Sequence, residues 1–469
     1  MNFNYIFDNV NDALPVLMGD LLVKGEDFGS RAGMTKELMN VGITLRNPQQ
    51  REIVIDERKA NIAAQIVETM WVLSGRNDVA GLVHYLPRAA DFSDDGLQWR
   101  AGYGPRLRNY RGVDQLAYVV DTLADNPSSR QAVATIWDPT VDTQPGKDIA
   151  CNNWLTFSSR GGKLDLMVGI RSNDAMWGWS GINAFEWSAL LELVAVLTNL
   201  EIGSLHFATT SFHLYDQHWA KAKQISKIQG NFRYTDSPRM TLGEHPVLDG
   251  FDELAQDWFA LEEDIRFGRK LIGNKVNGFP DPMLRSWLWV LQWYWSGDET
   301  FLAPLKRTRL YMACIVGLKP ASEHQNEQQS LPIPEDTDYF LTFVNNLHAQ
   351  KHAAYGDSWK RRGEYMILAN IARKVDRLES GKDTPDETQA DTAQDLMVYL
   401  AKYRSWLGGG LGDPDEVAVI LQSLVGHSCK NDIVNSFENL EGARGAEFKI
   451  ALVDSLLVQA YTLALSLWK

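Results

Sequence analysis

Two hydrophobic periods divide the first 245 residues of the chain into predicted helices and strands. The period typical of a helix occurs in four segments, residues 1–20, 60–75, 113–123 and 183–197. Apolar and polar residues alternate instead over residues 164–171, which predicts a strand with Arg171 on the face opposite its apolar side chains. A run rich in β-branched residues, 130–137, predicts another strand, whereas the glycines and charges of residues 24–35 predict a loop. Because strands and helices do not alternate regularly, the pattern predicts an α+β fold.

The pattern changes after about residue 245, where helical segments follow one another with few β-branched runs. Residues 252–300 are rich in tryptophan at helical spacing, which indicates a core or an interface rather than a platform for stacking a ligand. The polar, proline-containing segment 320–334 is typical of a linker. We therefore predict a first part that is α+β and two further parts that are all-α, with boundaries at residues 1–245, 246–334 and 335–469.

Composition and charge narrow the class of protein. No apolar run approaches the roughly 20 residues of a membrane-spanning helix, and the N-terminus shows no secretory signal. The three cysteines, Cys151, Cys314 and Cys429, form neither a disulfide framework nor a zinc pattern, so a reducing cytoplasm is the expected location. A net charge of −14 argues against a general nucleic-acid-binding protein. A small anion, held by a few local arginines, remains a plausible ligand.

The residues that suggest chemistry follow one another in one stretch of the chain. In order they are Cys151, Asn152, Arg171, Ser172, Asp174, Trp177, Asn183, His213 and Tyr215. A lone cysteine is usually a small buried hydrophobe, and no member of the set is specific by itself. In this order, however, the set resembles the thymidylate synthase and pyrimidine hydroxymethylase superfamily. The resemblance covers about the first 245 residues and implies a mixed sheet with helices.

The resemblance also implies roles for these residues and for four more distant ones. Four residues would be catalytic: Cys151, Glu68, Tyr103 and Asn152. Seven would bind the substrate: Arg31, Arg130, Arg171, Ser172, Asn183, His213 and Tyr215. Arg130 would reach into the partner subunit of a homodimer, and Asp174 and Trp177 would bind the cofactor, 5,10-methylenetetrahydrofolate. From the residues alone, Arg31 would be a solvated loop arginine and Glu68 an exposed glutamate on a helix face; no metal is expected.

The mechanism that the resemblance implies begins with addition of the Cys151 thiolate to C6 of a pyrimidine nucleotide. Arginines near the thiol would lower its pKa and favour the attacking form. C5 would then attack the one-carbon unit of the folate, with Glu68 and Tyr103 moving protons at the base. Loss of the folate leaves an exocyclic methylene on C5. Hydride then gives a methyl group, as in the synthases, and water gives a hydroxymethyl group, as in the phage hydroxymethylases.

Three departures from the synthase pattern favour water as the final reactant. Residues 87–95, between the Glu68 helix and Tyr103, contain no tryptophan, although synthases have one there that packs over the folate. Asn152 follows the nucleophile where synthases usually have histidine. The C-terminal tail that closes the synthase site is not evident, because the chain continues into helices. We therefore predict a dUMP hydroxymethylase in the cytoplasm of a phage-infected bacterium, with thymidylate synthase as the alternative.

The base is inferred from Asn183. A side-chain amide offers one donor and one acceptor, which complement N3–H and O4 of uracil, whereas a carboxylate would suit cytosine. The interval from Gly178 to Asn183 is one residue longer than the superfamily's usual spacing. Hydroxymethylation of dCMP therefore remains an alternative.

The C-terminal part resembles a helical domain associated with nucleotide modification in phages. Three segments carry the resemblance, residues 355–359, 373–377 and 391–395. Asp391 and Asp395 share a helix face and could hold Mg²⁺, or they could form a solvated face that pairs with nearby lysines and arginines. A non-catalytic interaction module is the other interpretation of this part. The glycines of residues 408–412 follow a predicted helix and indicate its end.

Overall fold

The computed structural model describes residues 3–321 except 31–32, 95–96, 230–233, 244–245, 267, 269–271 and 318. It also describes residues 364–380, 388–424 and 446–468, together with isolated positions at 341, 344–345, 348, 433, 436–437 and 440. The chain divides into two compact units, Met1–Gln329 and Ser330–Lys469.

A mixed sheet of seven strands organises the first unit. The strands are β1 (Phe3–Phe7), β2 (Glu26–Ser30), β3 (Gly33–Leu45), β4 (Val133–Thr135), β5 (Asn152–Arg160), β6 (Lys163–Asp174) and β7 (Glu201–Tyr215). Their order is β1-β3-β7-β6-β5-β4, and β2 pairs with β3 outside this path. The pairs β1–β3 and β6–β7 are parallel, and the other pairs are antiparallel. The predicted α+β class is confirmed.

Helices surround this sheet in the first unit. They are α1 (Val10–Lys24), α2 (Ile62–Leu73), α3 (Val79–Leu82), α4 (Tyr103–Arg108), α5 (Gln115–Asp125), α6 (Ala184–Thr198), α7 (Trp219–Ile225), α8 (Leu248–Arg266), α9 (Ile272–Asn277), α10 (Pro282–Ser296) and α11 (Arg309–Val316). A π-helix, Ala175–Asn183, leads directly into α6. The combined helix Ala175–Thr198 is long and apolar enough to cross a membrane, but 72% of its apolar window is buried inside the protein. Because α6 is apolar on all sides, it is the central core helix of the unit.

Two predictions for the N-terminus were wrong. Residues 1–20 do not form one helix, because Phe3–Phe7 is a strand and α1 begins only at Val10. Ile6 is 60% exposed on that strand, so the helical spacing that included it was accidental. The predicted loop at residues 24–35 contains β2 and the start of β3, whose glycines and charges lie at the sheet edge.

The tryptophan-rich helices belong to the same core as the sheet. Trp258 and Trp287 are fully enclosed, and Trp287 packs against Phe185 of α6 with ring centroids 5.7 Å apart. The prediction that these tryptophans serve a core is therefore confirmed. The proposed boundary at residue 245 stays a prediction.

The second unit is helical in its described residues and has its own core. Its helices are α12 (Glu364–Ser380), α13 (Gln389–Leu407), α14 (Pro414–Gln422) and α15 (Ala446–Trp468). Leu396 and Leu400 of α13 and Leu457 of α15 are fully buried in that core. Gly408 is the C-cap of α13, as its position after a predicted helix indicated.

Candidate active site

Cys151 lies directly before β5, at the end of a loop that Arg171 holds in place. The guanidinium of Arg171, on the neighbouring strand β6, donates hydrogen bonds to the carbonyl oxygens of Ala150 at 2.8 Å and Ile149 at 3.0 Å. The backbone N–H of Arg171 donates to the carbonyl oxygen of Cys151 at 2.9 Å. Three hydrogen bonds from one residue therefore fix the backbone that carries the thiol.

The environment of the Cys151 thiol differs from the sequence-based expectation. Burial raises the pKa of the thiol above its ordinary value, and the nearby Asp148 and Asp174 raise it further. Arg171 lowers the pKa, as predicted for an arginine neighbour, but burial is the larger effect. The prediction that neighbouring arginines bring the pKa of the thiol below its ordinary value was therefore wrong, because the sum of all effects raises it.

Tyr103 and Asn152 lie beside the nucleophile. Tyr103 begins α4, and its ring stacks on Trp187 of α6 with centroids 5.7 Å apart. Burial raises the pKa of Tyr103 far above its ordinary value, and the charges of Cys151 and Glu186 raise it further, while contact with Asn152 lowers it. Asn152 is completely enclosed, and neither of its amide atoms reaches hydrogen-bond geometry with a described residue. Tyr103 is thus a neutral proton donor at physiological pH.

Glu68 lies on α2, the helix packed against α6. Burial raises its pKa from 4.5 to about 7. The interpretation of Glu68 as an exposed residue on a helix face was wrong, since the residues around it on α2 are buried on every side of that helix. A carboxyl group that titrates near neutrality is suited to both accept and donate a proton.

The π-helix explains the long interval before Asn183. A π-helical turn absorbs one residue more than an α-helical turn, which is the length by which Gly178 to Asn183 exceeds the usual spacing. Asn183 ends this segment only 5% exposed, and its side-chain N–H donates to Oδ1 of Asn173 at 3.2 Å. The insertion is thus contained within the π-helix, and the amide of Asn183 remains held in the interior.

Asp174 and Trp177 begin the π-helix. Oδ1 of Asp174 caps it by accepting hydrogen bonds from the backbone N–H groups of Met176 at 2.6 Å and Trp177 at 2.9 Å. Oδ2 of Asp174 is buried and accepts no hydrogen bond from a described residue. Trp177 is 59% exposed. A buried acceptor beside an exposed indole fits a flat heterocycle with N–H donors, which is the chemistry of a pterin ring.

His213 and Ser172 lie on adjacent strands. Ser172 pairs with Ser211 in the parallel register of β6 and β7, and His213 lies two residues further along β7. Nδ1 of His213 is 3.2 Å from Oγ of Ser211, and the ring of His213 meets Tyr215 edge-on at 5.4 Å. The predicted pair on β7 therefore shares one side of its strand.

Three further polar residues, which the sequence did not suggest, lie near the predicted ones. Ser211 donates a hydrogen bond to Oε1 of Glu37 on β3, so a chain of polar groups reaches His213. Glu37 was missed because β3 was not predicted as a strand. Arg58 donates to the carbonyl oxygen of Met176 at 2.6 Å and to Ser180, and its burial lowers its pKa to about 10.

The predicted residues do not all meet in the described part of the chain. Arg31 lies outside the described residues. Arg130 is exposed in the loop before β4 and makes no ion pair with a described residue. In the second unit, Oδ2 of Asp395 accepts from Nζ of Lys374 at 2.8 Å, and Asp391 forms a capping box with Thr388 at the start of α13. Among the described residues no group of three or more histidines, cysteines or acids could hold a metal ion.

Comparisons with known proteins identify the family to which the chain belongs. Residues 16–263 match the family model described as thymidylate synthase. The deoxyuridylate hydroxymethyltransferase of Bacillus phage SP01 is 34% identical over 300 residues, which cover 61% of this chain and 73% of that protein. The protein of the same name from Pseudomonas phage M6 is 35% identical over 48% of this chain and 64% of its own length. Thymidylate synthase from T4 phage, a solved structure, matches with 24% identity over 47% of this chain and 82% of that chain, at a TM-score of 0.41.

Proposed function

Because the chain belongs to the thymidylate synthase family and is a one-carbon transferase that uses methylenetetrahydrofolate, we propose that it hydroxymethylates dUMP at C5. The observation that carries the proposal is a series of electrostatic neighbours, in which Tyr103 lies near Cys151 and Glu186, and Glu186 lies near Glu68. The names of the phage relatives support water rather than hydride as the final reactant.

The first step is addition of the Cys151 thiolate to C6 of the uracil ring. The hydrogen bonds from Arg171 fix the backbone that carries the sulfur. A bound phosphate dianion would place a further negative charge beside this guanidinium. The amide of Asn183 reads N3–H and O4, and His213 with Tyr215 holds the sugar hydroxyl. Bound 5,10-methylenetetrahydrofolate supplies the one-carbon unit, and Asp174 and Trp177 would hold it.

Proton transfer then falls to Glu68 and Tyr103. The neutral phenol of Tyr103 donates toward the base, and Glu68, with its pKa near 7, accepts and returns protons within the turnover. Water attacks the exocyclic methylene at C5, and expulsion of the Cys151 thiolate from C6 restores the aromatic uracil ring. The product is 5-hydroxymethyl-dUMP.

The segment before Tyr103 supports water as the reactant. Residues 87–95 contain no tryptophan, and Trp99, which follows them, packs edge-on against Trp71 with centroids 5.5 Å apart. The indole N–H of Trp99 donates to the carbonyl oxygen of Ala89 at 2.8 Å. This indole is therefore held by the core.

We further propose a homodimer formed through the open face of the sheet. Thr44, Met167 and His206 line a groove of about 770 Å³ on that face, and Met167 is 43% exposed. Ile6, which is 60% exposed, adds a second exposed apolar side chain to this groove, and burial of both in a partner subunit would stabilise a dimer. Arg130 would then bind the phosphate in the partner subunit, and Arg31 would bind it within the subunit.

For the C-terminal residues we propose an accessory helical domain beginning near residue 335, preceded by a helical segment from residue 246. Asp395 forms a partly buried ion pair with Lys374 and Asp391 caps α13, so both carboxylates are engaged by groups other than a metal ion. We therefore favour a non-catalytic interaction module over metal-dependent chemistry for this domain.

The proposed function is tested by incubating the protein with dUMP and methylenetetrahydrofolate and weighing the nucleotide product. A product heavier than thymidylate by one oxygen supports hydroxymethylation, whereas thymidylate together with dihydrofolate would establish the synthase reaction instead. dCMP offered in competition tests the base, and preferential turnover of dCMP would overturn the assignment to Asn183. Cys151→Ser is expected to abolish every one of these products.

A further inference from the structure

Glu186 is a second carboxyl group at the candidate site, and none of the predicted roles includes it. It lies in the first turn of α6, three residues after Asn183, and is only 1% exposed. Its Oε1 is buried and has no hydrogen-bond partner among the described residues. The side chain lies close enough to Glu68 and to Tyr103 for their charges to interact with its own.

The position of Glu186 follows from the packing of two helices. α2 carries Glu68 and packs against α6, and Gln65 of α2 donates to the carbonyl oxygen of Gly181 at 2.7 Å. Trp187, the next residue after Glu186, stacks on Tyr103. These contacts fix α6 relative to α2 and α4, and Glu186 interacts electrostatically with Glu68 of α2 and with Tyr103 of α4.

Two neighbouring carboxyl groups in a buried site cannot both be ionised. Burial raises the pKa of Glu186 well above its ordinary value, and the charge of Glu68 raises it further. The pKa of Glu68 rises only to about 7. Glu186 is only 1% exposed, whereas Glu68 is half-buried, so the more enclosed Glu186 is the member of the pair that retains a proton.

We propose that Glu186 is a positioning residue for the water-addition step, a neutral acid that donates a hydrogen bond to the Glu68 carboxylate and orients that carboxylate toward the attacking water. The inference rests on the proposed hydroxymethylation. The water oxygen forms a bond to the exocyclic methylene carbon, and its proton passes to Glu68. The electron pair of the methylene double bond moves through C5 and C4 onto O4. It then returns to re-form the C5–C6 double bond as the Cys151 thiolate leaves C6.

The two carboxyl groups therefore have different roles, since Glu186 keeps its proton and Glu68 exchanges its proton. Glu68 alternates between ionised and neutral forms during each turnover. Glu186 stays neutral, and a glutamine side chain offers the same donor and acceptor as a neutral carboxylic acid. A methionine has similar length but offers neither.

The test compares Glu186→Gln, Glu186→Met and the exposed surface variant Glu201→Gln in the full chain. Release of tritium from C5 of labelled dUMP measures the steps before water addition, and formation of 5-hydroxymethyl-dUMP measures the step itself. In Glu186→Met, tritium release is expected to stay within about threefold of the natural protein while hydroxymethyl product falls about tenfold or more. Added 2-mercaptoethanol should then capture the methylene as a thioether of the nucleotide.

Glu186→Gln is expected to resemble Glu201→Gln in both rates, with the pH at half-maximal turnover unchanged. A shift of that pH to lower values in Glu186→Gln would overturn the assignment of Glu186 as a neutral acid, because it would show that the substitution had removed a negative charge near Glu68. Equal losses of tritium release and product in Glu186→Met, or no loss in either, would overturn the positioning role. If the natural protein gives no 5-hydroxymethyl-dUMP, the proposed function itself fails; if only the variants disagree, the inference about Glu186 fails alone.

Discussion

Nε of Arg171 donates a hydrogen bond of 2.8 Å to the carbonyl oxygen of Ala150, the residue immediately before the candidate nucleophile. The arginine that the sequence suggested as a phosphate ligand therefore also holds the backbone of the nucleophile. If Arg171 also binds the phosphate as proposed, a single side chain would link the charge of the substrate to the placement of the sulfur.

Arg171→Lys is expected to lower kcat/KM for dUMP by about 10- to 100-fold, because lysine cannot reproduce two hydrogen bonds from a planar fork. Steady-state kinetics with mass-spectrometric product detection measures the loss. Arg160→Lys, at the exposed end of β5, serves as the matched control. An unchanged kcat/KM in Arg171→Lys would show that the loop before Cys151 is held by other contacts.

Turnover is expected to rise with pH between about 6 and 8, following the ionisation of Glu68, whose pKa burial raises to about 7. Glu68→Gln should remove this rise and lower kcat by about 100- to 10,000-fold. The measurement is a pH–rate profile at saturating dUMP and folate. A profile that keeps its acidic limb in Glu68→Gln would assign the limb to another group.

The same glutamate is expected to reduce stability at alkaline pH. Its folded-state pKa lies above the ordinary value, so its neutral form is favoured on folding. The stability that Glu68 contributes is fully present below its unfolded pKa of 4.5 and is lost as the pH rises to about 7. Glu68→Gln should therefore raise the free energy of unfolding of the first unit at pH 8 by roughly 1–2 kcal/mol. Denaturant melts at pH 5 and pH 8 measure this, and an equal effect at both pH values would contradict it.

Ser211→Ala is expected to raise KM for dUMP by about three- to tenfold with little change in kcat. The change removes the hydroxyl that joins Glu37 to His213, so the imidazole loses its orientation toward the sugar. Ser158→Ala, on strand β5 of the same sheet, is the control. A fall in kcat with KM unchanged would place Ser211 in the chemical step instead.

Removing either member of the buried ion pair between Arg51 and Glu192 is expected to cost about 3–5 kcal/mol of stability. Both side chains are almost fully enclosed, and Oε1 of Glu192 also accepts from the backbone N–H of Met240 at 3.0 Å. Thermal unfolding of Arg51→Met and Glu192→Leu measures the cost. The double variant should lose less than the sum of the two single variants, since it leaves neither charge unpaired.

The candidate site was predicted from the order of its residues, which resembles that of the superfamily, and not from periodicity. The structure places Cys151, Arg171, Asn183 and His213 on or beside β5, β6, α6 and β7, and their roles stay predictions. The long interval before Asn183 could not be interpreted, since no periodicity rule distinguishes a π-helical insertion from a shifted register.

Residues that depend on long-range pairing could not be predicted. Glu37 comes near His213 only because β3 and β7 pair with 37 opposite 213. Glu186 is one of two glutamates on an apolar helix, and its meaning depends on Glu68 from a helix more than 100 positions earlier. The pKa of the Cys151 thiol likewise depends on burial, which the local sequence does not reveal.

The packing of Trp287 against Phe185 has a consequence for how the chain can be divided. A fragment ending at residue 245 would expose the aromatic surface of α6 to water and would lose the ion pair between Arg108 and Asp252. Such a fragment should aggregate, whereas one extending through α11 should unfold in a single cooperative transition. The tryptophan-rich segment, which continues beyond the matched family region ending at residue 263, thus contributes to the same hydrophobic core as the sheet and α6.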